Sequence, residues 1–163
     1  CSSFPAFKVK LAQSLTRDSS HMSATITPDD DSAQIIDKLL TVNSQALDFV
    51  RRHLSLAQVE LAAKMLGEAR LINIYGLGAS ASIAQDMQHK LFRFGSPVIA
   101  YEDSIKQRMV AAAADDNTLF VMISFTGCTE TTVDSARIAK ASGAKVLAIT
   151  APGSPLAQRG CRA

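Results

Sequence analysis

After residue 31, apolar residues recur every three or four positions, which is the spacing of one face of an α-helix. They are Ile35, Ile36, Leu39, Leu40, Leu47, Val50 and Leu54. Asp31 or Ser32 is placed to cap the first turn of this helix. Ser55 and Gln58 have the spacing of a capping box that begins a second helix, and Gly67 is placed to end it in a left-handed turn. The pattern therefore predicts two helices before any strand.

From residue 71 onward, short apolar runs alternate with helical segments. The runs are LINIY at 71–75, VIAY at 98–101, LFVMIS at 119–124 and KVLAIT at 145–150. Such alternation is typical of βαβ units, whose right-handed crossovers make the sheet parallel. We predict an α/β fold: a doubly wound parallel sheet of at least four strands in the order 2-1-3-4, covered by helices on both faces. No helix or strand is predicted after the fourth run.

Composition agrees with one packed domain. The chain has 163 residues, of which 47% are hydrophobic and 20% charged, enough for a single core. A helix needs about 20 apolar residues to cross a bilayer, and every apolar run in this sequence is far shorter. The N-terminus does not resemble a signal peptide. Its three cysteines lack the spacing of a disulfide framework or a zinc knuckle. We expect a cytoplasmic protein that makes no contact with membranes.

The first 31 residues differ from the rest in charge. Residues 1–17 carry three basic and no acidic side chains, whereas residues 18–31 carry four Asp and no Lys or Arg. We predict that residues 1–15 are the end of an upstream domain, that 16–31 form a linker, and that 32–163 form the α/β domain. Because open doubly wound sheets usually have five or six strands, we expect this domain to lack a C-terminal part.

Two loops carry the candidate chemistry, and both follow strands at the predicted reversal of strand order, where such sheets bind ligands. The loop GLGASAS at 76–82 joins strand 1 to a helix, and its glycines allow a tight turn whose free N–H groups favour an anion. The loop SFTGCTETT at 124–132 follows strand 3, and five of its nine residues carry hydroxyls. Hydroxyl side chains at a helix N-terminus can donate to phosphate oxygens, so the pair of loops predicts a sugar phosphate as the ligand.

A dinucleotide site is an alternative interpretation of the first loop. Gly76-x-Gly78-x-x-Ala81 satisfies the relaxed dinucleotide fingerprint, and Glu102 and Asp103 follow the second strand, where a ribose-binding acid would lie. An NAD(P)-binding protein leaves SFTGCTETT unexplained, and we rank it below a sugar-phosphate protein. A Walker P-loop is excluded because no Gly-Lys-Ser/Thr follows the glycines.

The remaining reactive residues give weaker signals. Cys128 has no His nearby in sequence, and we expect it to be a small filler. The three histidines show no metal-ligand spacing. Glu130 lies where the helix dipole favours an acid regardless of chemistry. We assign no catalytic residue and expect neither a metal nor a cofactor.

At these residues the sequence resembles the SIS (sugar isomerase) domain, an α/β module that binds phosphosugars. More narrowly, it resembles the SIS effector domain of RpiR/MurR-type bacterial transcriptional regulators. The resemblance covers roughly residues 31–160 and rests on IYGLGASASIAQDMQHKLFRFG, on VMISFTGCTETTVDSARIAKASGAKVLAIT and on the SPL that follows. In addition, FPAFKVKLAQSL resembles the end of that family's N-terminal helix-turn-helix domain.

The resemblance implies which residues hold the ligand. In SIS domains the phosphosugar lies between the loop after strand 1 and an S-x-S-G-x-T loop after strand 3. The matching positions in this sequence are Gly78, Ser80, Ser124, Thr126, Gly127 and Thr129. Thr126 replaces the usual Ser and keeps its hydroxyl. Ala79 and Cys128 depart from the residues frequent in aminosugar enzymes, so the particular sugar is not assigned.

The function implied by the resemblance is a phosphosugar sensor that modulates DNA binding, as a homodimer or a higher homo-oligomer. DNA would be bound through the N-terminal domain, of which this chain holds only the end, because three basic residues are too few for a specific DNA site. An enzyme is not expected, since isomerases of the superfamily take catalytic residues partly from C-terminal segments that this chain lacks. A sugar-phosphate aldose–ketose isomerase is the alternative.

Overall fold

A computed structural model of the protein describes residues 25–159, which divide into two units between Ser55 and Leu56. The predicted end of an upstream domain, 1–15, and the first part of the predicted linker lie outside the described residues.

Helix α1 (Ser32–His53) is the regular element in the described part of the first unit, residues 25–55. Asp31 caps it through a capping box, in which the Asp31 carboxylate accepts from the Gln34 N–H and the Gln34 side chain accepts from the Asp31 N–H, both at 2.8 Å. Lys38 Nζ lies 2.6 Å from Asp30 Oδ2 and holds the turn that precedes the helix. No described helix is long and apolar enough to cross a membrane.

The second unit begins with helix α2 (Leu56–Glu68), directly after Ser55 as predicted. The prediction that Gly67 ends this helix is wrong. Gly67 lies inside the last turn, and its φ is not in the left-handed region. A glycine within a helix costs only about 1 kcal/mol relative to alanine, so the helix continues through it.

A parallel sheet with intervening helices makes up the rest of the second unit. Its elements are β1 (Leu71–Gly76), α3 (Ala79–Leu91), β2 (Val98–Tyr101), α4 (Ser104–Ala112), β3 (Thr118–Ser124), α5 (Glu130–Ala141), β4 (Lys145–Thr150) and α6 (Pro155–Arg159), with a 3₁₀ turn at Phe92–Phe94. The strand order is β2-β1-β3-β4, and all pairs are parallel, which confirms the predicted fold. The register aligns Gly76 with Ile123, so β1 and β3 end at the same edge of the sheet.

Helix α6 was not predicted from the sequence. It has five residues, too few to show a helical repeat of apolar positions. Its Leu156 is fully buried and belongs to the core beneath the sheet.

Two apolar clusters cover the two faces of the sheet, as predicted. On one face, Met65 of α2 and Ala84 of α3 pack on strand residues that include Ile74. On the other face, α4, α5 and α6 pack on Tyr75 and Phe120, whose rings meet edge to face with centroids 5.1 Å apart. Helices α3 and α5, which follow the adjacent strands β1 and β3, therefore lie on opposite faces.

Candidate functional site

The loops after β1 and β3 meet at the point where the strand order reverses. The chain runs outward from β1 to β2 in one direction and from β3 to β4 in the other. Because α3 and α5 leave toward opposite faces, a crevice opens between their N-termini. Both loops singled out in the sequence therefore border one crevice.

A cavity of about 150 Å³ lies in this crevice. It is lined by Leu77, Ser80, Ile123, Ser124, Phe125, Thr126, Thr129 and Thr132. Four of the six predicted site residues are thus brought together, namely Ser80, Ser124, Thr126 and Thr129. The other two, Gly78 and Gly127, shape the loops instead of lining the cavity.

The first loop depends on two glycines. Gly78 precedes α3 with a φ of +56°, in the region that favours glycine. A Cβ on Gly76 would overlap the carbonyl oxygen of Ser80, so the chain can turn back on itself only because Gly76 has no side chain. The turn closes with a 3.1 Å hydrogen bond from the Ser80 N–H to the Leu77 carbonyl, which places Ser80 at the cavity wall.

The second loop is packed against the segment that follows β4. Gly127 has a φ of +62°, and a Cβ there would overlap the hydroxyls of Thr150 and Ser154. The Gly127 carbonyl accepts a 3.1 Å hydrogen bond from the Leu156 N–H. Gly127 is therefore needed for close packing under the loop. The role of Ser154 was missed in the sequence, where the only signal was its place in the SPL that follows β4.

Two cavity hydroxyls also hold the second loop in shape. Ser124 Oγ accepts from the Gly127 N–H at 3.2 Å, and Thr126 Oγ1 accepts from the Cys128 N–H at 3.3 Å. In each case the hydroxyl oxygen acts as an acceptor within the loop, and its O–H proton remains as a donor. Both hydroxyls can therefore donate to an acceptor group in the cavity.

The helix N-termini at the cavity lack side-chain caps. Gly78 and Thr129 occupy the N-cap positions of α3 and α5, and neither makes a side-chain capping hydrogen bond. Two other helix N-caps are aspartates that do cap: Asp31 on α1, and Asp103 on α4, which accepts from the Lys106 N–H at 2.7 Å. The uncapped first turns present N–H groups and the positive end of the helix dipole, which is an arrangement suited to an anion.

No charged side chain is among the described residues that line the cavity. Glu102 and Asp103, the two candidates for the ribose-binding acid of the dinucleotide alternative, serve local structure. Asp103 caps α4, and Glu102 accepts a 3.1 Å hydrogen bond from the Gln85 side chain. An anion in the cavity would therefore meet only neutral donors and helix dipoles from the residues described.

Beneath the crevice lies Gln107, which the sequence analysis did not single out. It is fully buried, and its side-chain Nε2 donates to the carbonyl of Tyr101 at 2.7 Å and of Gly76 at 3.5 Å. It thus ties α4 to the ends of β2 and β1. A glutamine on a short helix gives no sequence signal of burial, because its type is mostly exposed.

Cys128 was expected to be a small filler, but the structure exposes it. Its Sγ lies 3.4 Å from the Thr126 carbonyl oxygen, on the second loop. Within residues 25–159, Cys128 included, His, Cys, Asp and Glu side chains form no group of three that could hold a metal ion.

Comparison with known protein families identifies the family of this chain. The profile of the SIS domain matches residues 65–162, which include both loops. The chain belongs to the SIS domain family. The resemblance noted in the sequence is thereby confirmed.

This SIS domain chain is similar to bacterial regulators. It is 41% identical over 157 residues to the HTH-type transcriptional regulator HexR of Pseudomonas aeruginosa, covering 96% of the chain and 55% of that protein. It is 36% identical over 155 residues to HexR of Escherichia coli, covering 95% of the chain and 54% of that protein. The chain thus spans about half the length of these curated relatives.

A solved structure shares the fold. The Vibrio vulnificus NanR protein complexed with ManNAc-6P superposes with a TM-score of 0.76 at 22% identity, covering 94% of this chain and 53% of that one.

Proposed function

We propose that the chain is the phosphosugar-sensing part of a helix-turn-helix transcriptional regulator of the cytoplasm. The observation that carries this proposal is the pair of uncapped helix N-termini, at Gly78 and Thr129, which border one hydroxyl-lined cavity. Similarity to two HTH-type regulators supports the regulatory role. DNA contact belongs to a helix-turn-helix domain of which residues 1–15 are the end.

Each predicted site residue has a role in this proposal. Ser80, Thr126 and Thr129 donate hydroxyl protons to the phosphate, and Ser124 donates while it holds the loop. Gly78 and Gly127 supply the backbone turns that bring N–H groups to the phosphate. A neutral donor set together with helix dipoles suits a phosphate monoester. The NanR complex supports this class of ligand, since a protein of the same fold is seen there with ManNAc-6P.

The chemistry of the cavity lining favours binding over isomerisation. Moving a proton between sugar carbons needs a general base within hydrogen-bond reach of the substrate. The described lining residues are hydroxyl-bearing or apolar, so they offer ligand contacts and no carboxylate, imidazole or amine. We therefore assign the chain a sensor role without catalysis.

The proposal is tested by thermal unfolding in the presence of hexose, pentose and aminosugar phosphates, each compared with its dephosphorylated form. A ligand at 100 times its dissociation constant stabilises the folded state by about 2.7 kcal/mol. We expect one phosphorylated sugar to raise the unfolding temperature and its dephosphorylated form to have no effect. Stabilisation by NAD(P) instead, or conversion of a phosphosugar to its isomer by the chain, would contradict the proposal.

Paired variants locate the ligand. The double variant Ser80→Ala/Thr126→Ala removes one hydroxyl from each loop and is expected to abolish the ligand-induced stabilisation. Ser82→Ala removes an exposed hydroxyl from the same helix, outside the cavity lining, and is expected to keep it. Loss of stabilisation in both variants, or in neither, would move the site elsewhere.

Cys128 offers a second readout at the site, because it is an exposed thiol on the second loop. A sugar phosphate held by Thr126 and Thr129 would cover this loop. We expect the ligand to slow alkylation of Cys128 by iodoacetamide, as followed by peptide mass spectrometry, and the dephosphorylated sugar to leave the rate unchanged.

The regulatory part has its own test. Because DNA contact is assigned to a helix-turn-helix domain, the 163-residue chain alone is expected to give no sequence-specific shift of operator DNA in a gel. A specific shift would refute the assignment of DNA contact to a helix-turn-helix domain. It would not affect the proposal of a sugar-phosphate site.

A further inference from the structure

One wall of the cavity is an aromatic side chain that the core of the domain does not use. Phe125 follows Ser124 in the second loop and is among the residues that line the cavity. It is 87% exposed, more than any other large hydrophobic residue in the described part of the chain. Because hydrophobic stabilisation follows the apolar area removed from water, this ring contributes little to the stability of the fold.

The backbone at Phe125 is held on both sides. The Phe125 carbonyl accepts a 3.3 Å hydrogen bond from the Ala151 N–H, in the segment that follows β4. On either side of it, the hydroxyl oxygens of Ser124 and Thr126 each accept a backbone N–H within the loop. The loop therefore presents an exposed ring from a fixed backbone position, so a ligand that contacts the ring pays little for ordering the loop.

The Phe125 ring is unsuited to the phosphate group. The face of a phenyl ring carries partial negative charge, so it offers nothing to offset the charge of an anion. In the proposed site, hydroxyls and helix N-termini meet the phosphate instead. The part of a phosphosugar that does suit an aromatic face is its carbon skeleton, whose C–H groups are apolar and pack closely on the ring.

Leu77 brings a second apolar side chain to the same cavity, from the first loop. It directly follows Gly76, and Phe125 lies two residues beyond Ile123, the register partner of Gly76. Both side chains are therefore carried by the first residues that leave the sheet at this edge. The cavity combines neutral donors with an apolar side chain from each loop, which is the composition of a pocket for a ligand with carbons as well as a polar group.

We propose that Phe125 packs on the carbon skeleton of the bound phosphosugar and is a specificity-determining residue of the site. Resting on the proposed phosphosugar site, this contact adds a second subsite to it: donors and helix dipoles hold the phosphate, and the Phe125 ring contacts the sugar. Inorganic phosphate has the charged group without the carbons. Burial of part of the ring then makes a sugar phosphate bind about tenfold more tightly than inorganic phosphate.

Calorimetric titration of the full chain tests the contact, with inorganic phosphate and with the phosphate esters of glucose, fructose, ribose and glucosamine as probes. At least one ester is expected to bind wild type about tenfold more tightly than inorganic phosphate. Phe125→Ala should remove most of this preference and keep the affinity for inorganic phosphate, whereas Phe125→Tyr retains the ring and should retain the preference. Phe94→Ala is the matched control, because Phe94 is 80% exposed and lies outside the cavity lining.

Three outcomes would overturn the contact while leaving the phosphate site in place. They are equal affinity of wild type for every ester and for inorganic phosphate, an ester preference that survives Phe125→Ala, and an equal loss in Phe94→Ala. If wild type binds neither inorganic phosphate nor any ester, the sensor proposal fails and the contact fails with it.

Fluorescence gives a direct reading of the contact, since the chain has no tryptophan. Phe125→Trp introduces a single reporter at the cavity, and Phe94→Trp introduces one outside it. The preferred ester is expected to shift the emission of Phe125→Trp to shorter wavelengths, because it removes the ring from water, and inorganic phosphate is expected to leave the emission unchanged. Emission of Phe94→Trp should respond to neither. An emission of Phe125→Trp that is the same with the ester and with inorganic phosphate would show that the sugar does not cover this position.

Discussion

The hydroxyl of Tyr75 donates a 2.6 Å hydrogen bond to the backbone carbonyl of Gln107, which joins the end of β1 to the middle of α4. Both residues are fully buried, and burial raises the pKa of the Tyr75 hydroxyl well above its usual value, so it stays protonated as a donor. Since Tyr75 directly precedes Gly76, this bond fixes α4 at the point where the first site loop begins.

Tyr75→Phe is expected to destabilise the domain by about 1 kcal/mol, because a buried hydrogen bond is lost while the Gln107 carbonyl keeps its helical bond within α4. Urea unfolding followed by circular dichroism measures the change. Tyr101→Phe is the control, since the Tyr101 ring packs edge-on against Tyr75 at 5.6 Å but is only half buried. A loss of stability in Tyr101→Phe as large as in Tyr75→Phe would show that the Tyr75 hydrogen bond is not the cause.

Gly127→Ala is expected to disrupt the second loop and abolish sugar-phosphate binding, because the new Cβ would overlap the hydroxyls of Thr150 and Ser154. Gly153→Ala is a matched control: Gly153 also has a positive φ, of +72°, but open space where a Cβ would lie. It should show only the backbone cost, about 1 kcal/mol. Calorimetric titration and urea unfolding of both variants separate close packing from backbone strain. Equal losses in the two variants would contradict the packing argument.

Thr129→Ala is expected to weaken sugar-phosphate binding with little effect on stability, because the Thr129 side chain makes no capping hydrogen bond to α5. Asp103→Ala should do the reverse. It removes a working cap from α4, costs about 1 kcal/mol of stability, and leaves the cavity lining intact. Affinity from calorimetry and stability from urea unfolding are compared for both variants. A large stability loss in Thr129→Ala would mean that its hydroxyl serves the helix instead of a ligand.

Asp115 should make stability depend on pH. Hydrogen bonds from the Thr118 hydroxyl at 2.8 Å and the Asn117 N–H at 3.1 Å hold the pKa of its carboxyl below the usual 3.8. A lowered pKa in the folded state stabilises the fold above pH 3.8, and this contribution is lost as the pH falls through the folded-state pKa. The difference in unfolding free energy between wild type and Asp115→Asn is therefore expected to shrink below pH 3.8.

Urea unfolding of both proteins at neutral pH and at acid pH checks this dependence. Asp116→Asn serves as the control, since the Asp116 carboxylate accepts only from the side chain of the neighbouring Asn117 among the bonds described. A difference between wild type and Asp115→Asn that stays constant with pH would contradict the assignment.

Most of the fold could be predicted because strand burial and helix spacing are local properties of the sequence. The runs at 98–101 and 145–150 match β2 and β4 residue for residue. Helix α6 could not be predicted from the sequence, because its stability comes from the burial of Leu156, which depends on contacts distant in sequence. The predicted end of α2 at Gly67 was wrong because glycine, which often ends helices, can also be tolerated inside one.

The cavity-lining hydroxyls could be predicted because strand order places two loops at one crevice, and both loops carry a dense group of small polar residues. The supporting contacts could not. Whether Gly127 packs on Ser154, or Gln107 on the Tyr101 carbonyl, depends on how separate elements approach in space. Such contacts leave no periodic pattern in the sequence.

The uncapped helix N-termini allow substitutions in the loops to alter ligand preference while the backbone N–H groups stay in place. Backbone N–H groups are offered by every residue except proline, so a site built on them depends on the path of the chain more than on its side chains. Positions such as Ala79, Cys128 and Glu130 are then free to vary without loss of the anion-binding geometry. A mutational survey of these positions should change which sugar is preferred long before it removes the requirement for a phosphate, and proline alone should remove both.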